Sequence, residues 1–200
     1  MADRMLPVAR TPRIPPKLDP APEAAAILEK VMHVDGQPLN EPRTLAWHPL
    51  LLKRFTLLAG FFLTGTTIPQ RPREILTMRT IHLAGCEYLF GHHQLSAGAA
   101  GLSSGEIIGI RGPNRGWAPE DALLITAADE MWNTDTLSDE IWSELARSYD
   151  EPQLLEIVML LGFYRMVCTF IDTLRIELEP GVPGWPRLAD TDETGPRPIG

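Results

Sequence analysis

The sequence predicts an all-α protein, a bundle of about six to eight helices with an extended arm at each end. Signals for the start and end of helices recur along the chain, whereas no alternating run of apolar and polar residues is bounded by hairpin turns. The 19 prolines gather toward both ends, where a fixed φ and a missing N–H favour extended chain. We therefore divide the chain into a proline-rich N-terminal arm at 1–22, one helical domain at 23–179 and a Pro/Gly-rich tail at 180–200.

The first half of the chain contains five apolar segments bounded by breaks. Alanines and spaced aliphatic residues predict a first helix that stops before Gly36, and a short segment after it is long enough for one or two turns. Pro49 stands where the first residue of a helix is commonly proline. Two further segments predict two helices, or one helix that bends near Ala84 and Gly85. The predicted ranges are 23–34, 42–47, 50–63, 71–83 and 85–100.

The second half of the chain adds four helices, each with a recognisable start. Ser103 and Glu106 have the spacing of a capping box, in which each side chain binds a free backbone N–H of the helix end. Pro119 and Pro152 suit the first helical turn, and Ser138 precedes two acidic residues. The predicted ranges are 103–110, 119–132, 138–149 and 152–176.

Two of these helices are apolar on nearly every face. The segments Ile75–Leu83 and Ile157–Tyr164 contain few polar residues, and a helix that is apolar all round is expected to be buried all round. A monomer of 200 residues offers few such interior positions for long helices. We therefore expect a homo-oligomer, a dimer, trimer or hexamer, in which a second subunit covers the remaining faces.

Composition and charge exclude several classes of protein. Hydrophobic residues make up 44% of the chain and charged residues 22%, which is typical of a folded globular protein. The net charge of −8 argues against nucleic acid and anionic membranes as partners. Two cysteines are too few for a disulfide framework, no secretory signal is visible, and we counted no apolar run long enough to span a bilayer. These features predict a soluble cytoplasmic protein.

A carboxylate stands on the apolar face of the fourth predicted helix. Glu74 shares this face with Met78 and Ile81, where an unpaired carboxylate would be costly. One interpretation is a salt bridge with Arg79 or another basic group. The other is a site carboxylate that orients a histidine. The residue pattern alone leaves both open.

The next helix carries the residue types that such a site needs. Cys86, Phe90 and His93 share one face, and Tyr88 and His92 share a neighbouring one. Adjacent histidines diverge by about 100° on a helix, so we expect only His93 to point into a given pocket. A histidine can carry a proton and a tyrosine can donate a hydrogen bond. The adjacent histidines do not have the spacing of a metal site, so no metal is predicted.

The segment Arg73–Gly101 resembles the signature of the carboxymuconolactone decarboxylase family, which includes the alkylhydroperoxidase D proteins. The family pattern has glutamate, eleven residues, Cys or Ser, two residues, a third site, three residues and histidine. Here these positions are Glu74, Cys86, Leu89 and His93. Two segments outside the signature, at 39–55 and 137–167, also resemble the longer members of this family. The pair Glu87-Tyr88 is similar to the decarboxylase branch. The resemblance implies an alkylhydroperoxidase D-like helical fold.

The resemblance also implies a function, a carboxymuconolactone decarboxylase-like, cofactor-free lyase that uses acid/base chemistry on a small carboxylated or lactone substrate. Decarboxylation, isomerisation, dehydration and lactone chemistry can all use the same acid/base residues, so the exact reaction stays open. His93 would be the acid/base, held by Glu74, with Tyr88 as a third catalytic group. Such a reaction needs a stabilised oxyanion and a proton delivered to carbon. The substrate would be bound by residues of the same stretch, namely His92, Arg79, Cys86 and Phe90.

Two other functions stay open. A peroxide reductase of the same family would use Cys86, but Leu89 occupies the position of the second cysteine, and the sequence does not show whether Cys168 reaches Cys86. A buried, unreactive Cys86 is therefore the favoured interpretation. The other alternative is a non-catalytic oligomeric scaffold, in which His93 would have no chemical role.

Overall fold

The computed structural model describes residues 11–186 and confirms the all-α prediction. Within that range it has nine α-helices, one more than the upper end of the predicted six to eight, and four of them contain only six or seven residues. The predictions for 1–10 and 187–200, the outer parts of the two arms, lie outside the described residues. The helices are α1 Pro22–Leu28, α2 Asn40–Leu45, α3 Pro49–Gly60, α4 Gln70–Ala84, α5 Glu87–Ala99, α6 Ser104–Gly109, α7 Pro119–Thr134, α8 Asp139–Leu145 and α9 Glu151–Leu174, and a π-helical turn, Phe61–Gly65, continues α3.

Helix α4 is the centre of the bundle and packs against α5, α7 and α9. Every residue from Arg73 to Ile81 is buried. The expectation of burial on all faces is therefore confirmed within a single subunit for Ile75–Ile81, whereas His82 and Leu83 at the end of the predicted segment are only half-buried. It is not confirmed for 157–164 of α9, where Met159 is more than half exposed while its neighbours Leu160 and Leu161 are buried.

Gly85 separates α4 from α5, so the chain forms two helices here and not one bent helix. Its φ of +74° is left-handed, a conformation that glycine adopts without the penalty of a Cβ. The Cys86 N–H returns to the Ile81 carbonyl at 3.2 Å, which ends α4 with a glycine cap. The tight break places the first turns of α5 beside α4.

A short hairpin replaces the end of the first predicted helix. Helix α1 stops at Leu28, and His33–Val34 pairs with Gln37–Pro38 as a two-stranded antiparallel sheet. Asp35 and Gly36 form the turn with φ values of +49° and +74°. An Asp-Gly pair is a strong hairpin signal, and the prediction of helix through Val34 was wrong because the aliphatic pattern outweighed that signal.

Charged side chains tie the helices together at their ends. Arg71 at the start of α4 bonds to Asp121 of α7 at 2.7 Å and to Glu106 of α6. Glu156 of α9 accepts hydrogen bonds from the backbone N–H groups of Thr67 and Ile68 at 2.8 and 3.2 Å. These contacts fix the N-terminus of α4, the helix that carries Glu74.

Helix α9 passes the length and composition criteria for a membrane span, contrary to our count from the sequence. Half of its most apolar window is buried inside the protein. The core helix of a soluble protein passes the same criteria, so this feature is weak evidence for a membrane.

Apart from Pro22, which begins α1, the described parts of both arms lie on the bundle without helix or strand. In the N-terminal arm, Arg13 N–H bonds to the Leu174 carbonyl at 2.9 Å. In the C-terminal segment, Trp185 packs on Phe90 with ring centroids 4.6 Å apart, and its N–H bonds to Glu87 at 2.9 Å. Residues 180–186 of the tail therefore cover one face of α5.

Candidate active site

A cavity of about 640 Å³ lies beside α5, a volume within the range of small-molecule sites. Side chains from α1, α2, α3, α5 and α9 line it, and most of the surface is apolar. Its polar lining residues on α2 and α5 are Glu41, Tyr88, His92 and His93; the apolar ones include Ile27, Phe55, Leu89, Phe163 and Val167.

The sequence signature reaches the cavity through His93, and Glu74 contacts His93 from behind. The His93 Nδ1 lies 3.0 Å from the Glu74 Oε2, and both side chains are buried. Arg73 completes the group, with its Nη2 3.6 Å from the Glu74 Oε1. Glu74 thus has both proposed contacts, a histidine and a basic group, but the base is Arg73 and not Arg79. The Tyr164 ring stands edge-on to His93 at 5.2 Å and limits how the imidazole can turn.

A second carboxylate, Glu179, binds the other polar groups of α5. The His92 Nε2 lies 2.5 Å from the Glu179 Oε2, and the Tyr88 hydroxyl donates to the Glu179 Oε1 at 2.7 Å. The backbone N–H of Asn40 donates to the same oxygen at 2.6 Å. Burial raises the pKa of Glu179, but the hydrogen bonds from His92, Asn40 and Tyr88 outweigh burial and lower it overall.

Both histidines of the pair line the cavity, contrary to the expectation that only His93 would. They diverge on α5, and each is held by a different carboxylate, His93 by Glu74 and His92 by Glu179. The cavity is wide enough to run along both faces of the helix, which the helical angle alone could not show.

Glu41 of α2 contributes a further carboxyl group to the cavity. Its Oε1 is buried and has no hydrogen-bond partner among the residues that the structure describes. Burial, together with the negative charge of Glu179, raises the pKa of Glu41 to about 8. The Glu41 carboxyl is therefore mostly protonated at neutral pH.

Three of the predicted substrate-binding residues do not line the cavity. Arg79 binds both carboxylate oxygens of Asp129 at 2.5 and 2.8 Å and the Ile110 and Gly112 carbonyls, so its guanidinium is occupied on the α7 side of α4. Phe90 is buried under Trp185. Cys86 is buried at the start of α5. Of the predicted set, only Tyr88, His92 and His93 reach the cavity, and Glu74 stands behind His93.

The two cysteines are neighbours, although they are distant in sequence. Both thiols are buried, and hydrogen bonding to Cys86, followed by burial, raises the pKa of Cys168 above its ordinary value. Neither cysteine, both of which are described, lines the cavity. Leu89, at the position of the family's second cysteine, does line it.

Sequence reasoning missed Glu41 and Glu179. Glu41 immediately precedes the segment 42–47 that was predicted as one or two turns, and Glu179 follows the last helix in a segment without regular structure. No spacing rule connects either residue to α5, because the contacts are between segments far apart in the chain. Within residues 11–186, no group of three or more His, Cys, Asp or Glu side chains has the arrangement of a metal site.

Comparisons with known proteins identify the fold. No protein-family model matches the sequence, and a search of curated proteins found no similar sequence. An uncharacterized peroxidase-related protein from Silicibacter sp. TM1040 has a TM-score of 0.73 at 14% identity, over 88% of this chain and 97% of that one. A cysteine-to-alanine variant of the debrominase Bmp8, solved in complex with 2,3,4-tribromopyrrole, has a TM-score of 0.69 at 17% identity, over 86% and 94% of the two chains.

A third structure supports the same assignment. An uncharacterized peroxidase-related protein from Ralstonia eutropha JMP134, described as an alkylhydroperoxidase AhpD core, has a TM-score of 0.68 at 16% identity, over 84% of this chain and 93% of that one. Because all three align over most of both chains, the helical bundle described here has the alkylhydroperoxidase D-like fold.

Proposed function

We propose that this protein is an enzyme that performs acid/base chemistry on a small ring-shaped substrate bound in the cavity beside α5. The observation that carries the proposal is the buried His93–Glu74 pair at the wall of a mostly apolar cavity. The solved structures with the same fold include a debrominase and peroxidase-related proteins, which supports an enzymatic role.

His93 is the proton carrier in this proposal. Because Nδ1 faces Glu74, the carboxylate favours the tautomer with the proton on Nδ1, which leaves Nε2 to accept or return a proton. Glu74 does not line the cavity, so it is a positioning residue. Tyr88 and His92 both hydrogen-bond to Glu179, and together with Glu41 these residues form what we call the polar end of the cavity. The role of Tyr88 and His92 in this proposal is to form that end rather than to transfer protons.

The reaction that we propose is that of a carboxymuconolactone decarboxylase-like lyase. It rests on the sequence signature and on the His93–Glu74 pair. The test is turnover of γ-carboxymuconolactone, followed by loss of substrate absorbance and release of carbon dioxide. We expect His93→Ala to lower kcat by about 10²- to 10⁴-fold, the usual contribution of general acid/base catalysis.

His33→Ala is the matched control, because His33 is an exposed histidine that does not line the cavity. It should turn over the substrate at the wild-type rate, and both variants should keep their helical circular dichroism. A wild-type protein without turnover contradicts the decarboxylase reaction. Unchanged kcat in His93→Ala contradicts the role of His93 and favours a non-catalytic scaffold.

A second candidate function, peroxide reduction, is favoured by the contact between Cys86 and Cys168. One thiolate would attack a peroxide oxygen to give a sulfenic acid and an alcohol, and the second thiol would then form a disulfide and release water. The burial of both thiols and the raised pKa of Cys168 oppose this reaction. If it operates, Cys86→Ser and Cys168→Ser each abolish thiol-dependent reduction of cumene hydroperoxide, whereas lyase turnover survives both changes.

Location and assembly are also proposed. The free thiols of Cys86 and Cys168 suit a reducing compartment, so we infer a cytoplasmic protein whose partner is a small molecule and not nucleic acid or a membrane. We further infer a homo-oligomer from the apolar side chains that α9 leaves exposed.

A further inference from the structure

The polar end of the cavity lacks a hydrogen-bond partner for one buried group. The Glu41 Oε1 is buried and meets no polar partner among the described residues, and the residue that carries it lines the cavity. Leaving such a group unpaired costs about 1–3 kcal/mol. A cost of this size at the wall of a cavity indicates a group that is paired when a ligand is bound.

The other donors at this end already have acceptors. The Tyr88 hydroxyl accepts from the Glu41 backbone N–H at 3.3 Å and gives its single proton to Glu179. His92 directs Nε2 to the same carboxylate. The protonated Glu41 carboxyl is therefore the donor that is left for a bound molecule.

The charges at this end disfavour an anion. Glu179 is held in its ionised form by its hydrogen bonds and lies close enough to Glu41 for its charge to be felt there. The lysines that line the cavity, Lys30 and Lys53, are exposed, so they belong to its solvent side. The group that meets Glu41 is then uncharged, and it accepts a hydrogen bond.

We propose that Glu41 donates a hydrogen bond to the uncharged carbonyl oxygen of a ring compound, a lactone or cyclic ketone, bound in the cavity. The ring itself packs against the apolar wall formed by Phe55, Phe163 and Val167. This inference rests on the proposed function only in placing the substrate in the same cavity. It adds the residue that recognises the ring carbonyl.

The test compares the affinity of three bicyclic probes by isothermal titration calorimetry. Coumarin carries a lactone carbonyl, naphthalene carries no acceptor, and 2-naphthoate carries an anionic one. We expect Glu41→Leu to weaken the binding of coumarin about tenfold, which corresponds to about 1.4 kcal/mol, and to change the affinity for the other two probes by no more than about twofold. Glu41→Gln should retain most of the coumarin affinity, because its amide still donates.

Glu120→Leu is the control, since it removes an exposed glutamate of α7 and should change no affinity. The proposal is overturned if the wild type does not bind coumarin, if Glu41→Leu and Glu41→Gln both leave coumarin affinity unchanged, or if 2-naphthoate loses as much affinity as coumarin. Binding is measured without turnover. His93→Ala should keep the dependence on Glu41 even if the proposed reaction is wrong, so the two failures are distinguishable.

Discussion

Two carboxyl groups at the same end of the cavity, Glu41 and Glu179, are held in opposite protonation states by their surroundings. Glu179 receives three hydrogen bonds, which stabilise its negative charge. The Glu41 side chain has a buried oxygen without a partner among the described residues, and the charge of Glu179 opposes its ionisation. Divergent environments of this kind assign one carboxyl as a proton donor and the other as an acceptor.

The raised pKa of Glu41 predicts a stability that depends on pH. Its pKa of about 8 in the folded protein exceeds the ordinary 4.5, so the protonated carboxyl contributes stability that is complete below 4.5 and is lost as the pH rises through 8. Glu41→Gln, which cannot ionise, should exceed the wild type in free energy of unfolding at pH 8 by more than about 1 kcal/mol, and by much less at pH 4. Urea unfolding at both values measures the difference. Glu120→Gln, at an exposed glutamate, should differ from the wild type by the same amount at both pH values. If Glu41→Gln also shows no difference between pH 4 and pH 8, the raised pKa of Glu41 is refuted.

Glu74 should affect the rate of reaction rather than the binding of substrate. Glu74→Gln keeps the shape of the side chain but removes the charge that orients His93, and the carboxyl does not line the cavity. We expect kcat on γ-carboxymuconolactone to fall by about 10²-fold or more with KM within a factor of about two. A purely structural role would instead lower the thermal midpoint and leave kcat per folded molecule unchanged. Glu74→Asp should restore part of the rate.

At the scale of elements, α5 and the segment after α9 are joined at Gly91. A Cβ placed at Gly91 would lie 2.4 Å from the Pro183 carbonyl oxygen, and the segment that contains Pro183 also carries Glu179. Gly91→Ala should therefore displace this segment and lower the free energy of unfolding by about 1–3 kcal/mol. Urea unfolding measures the loss, and the same displacement should weaken coumarin binding.

Gly98→Ala on the same helix is a matched control, because a Cβ at Gly98 meets nothing within 4 Å. Because alanine favours a helix more than glycine does, this substitution should stabilise the protein by about 0.5–1 kcal/mol. Equal effects of the two substitutions would show that the contact between α5 and the C-terminal segment does not hold.

Local signals explain which elements were predictable. The capping box of Ser103 and Glu106 and the glycine cap at Gly85 are formed by residues a few positions apart, and both form in the structure. The hairpin at Asp35 was missed because its turn signal competed with an aliphatic pattern that is equally typical of a helix. Boundaries therefore failed where two local signals disagreed.

At the scale of the whole molecule, the part of the site that could be predicted from the sequence is the part formed by two neighbouring helices. Glu74 and His93 lie on α4 and α5, which one tight break joins, so their spacing predicts proximity. Glu41 and Glu179 reach α5 only because distant segments pack together. Spacing carries no information about such contacts, and for that reason the two carboxyl groups at the polar end of the cavity were not predicted, whereas Tyr88 and His92 on α5 were.

An exposed apolar face on α9 predicts that the whole molecule assembles into a homo-oligomer. Leu155, Met159 and Met166 share one face of α9 at helical spacing, and each is more than half exposed. We expect sedimentation equilibrium to give a mass that is a multiple of 22.2 kDa, and the double variant Leu155→Glu, Met159→Glu to shift the protein toward the mass of one chain, because a charge buried in an interface is costly. Leu95→Glu, at an exposed position of α5, is the control and should leave the mass unchanged. A wild-type protein that sediments as one chain at micromolar concentration would contradict the oligomer, and a double variant with the wild-type mass would place the interface on another face.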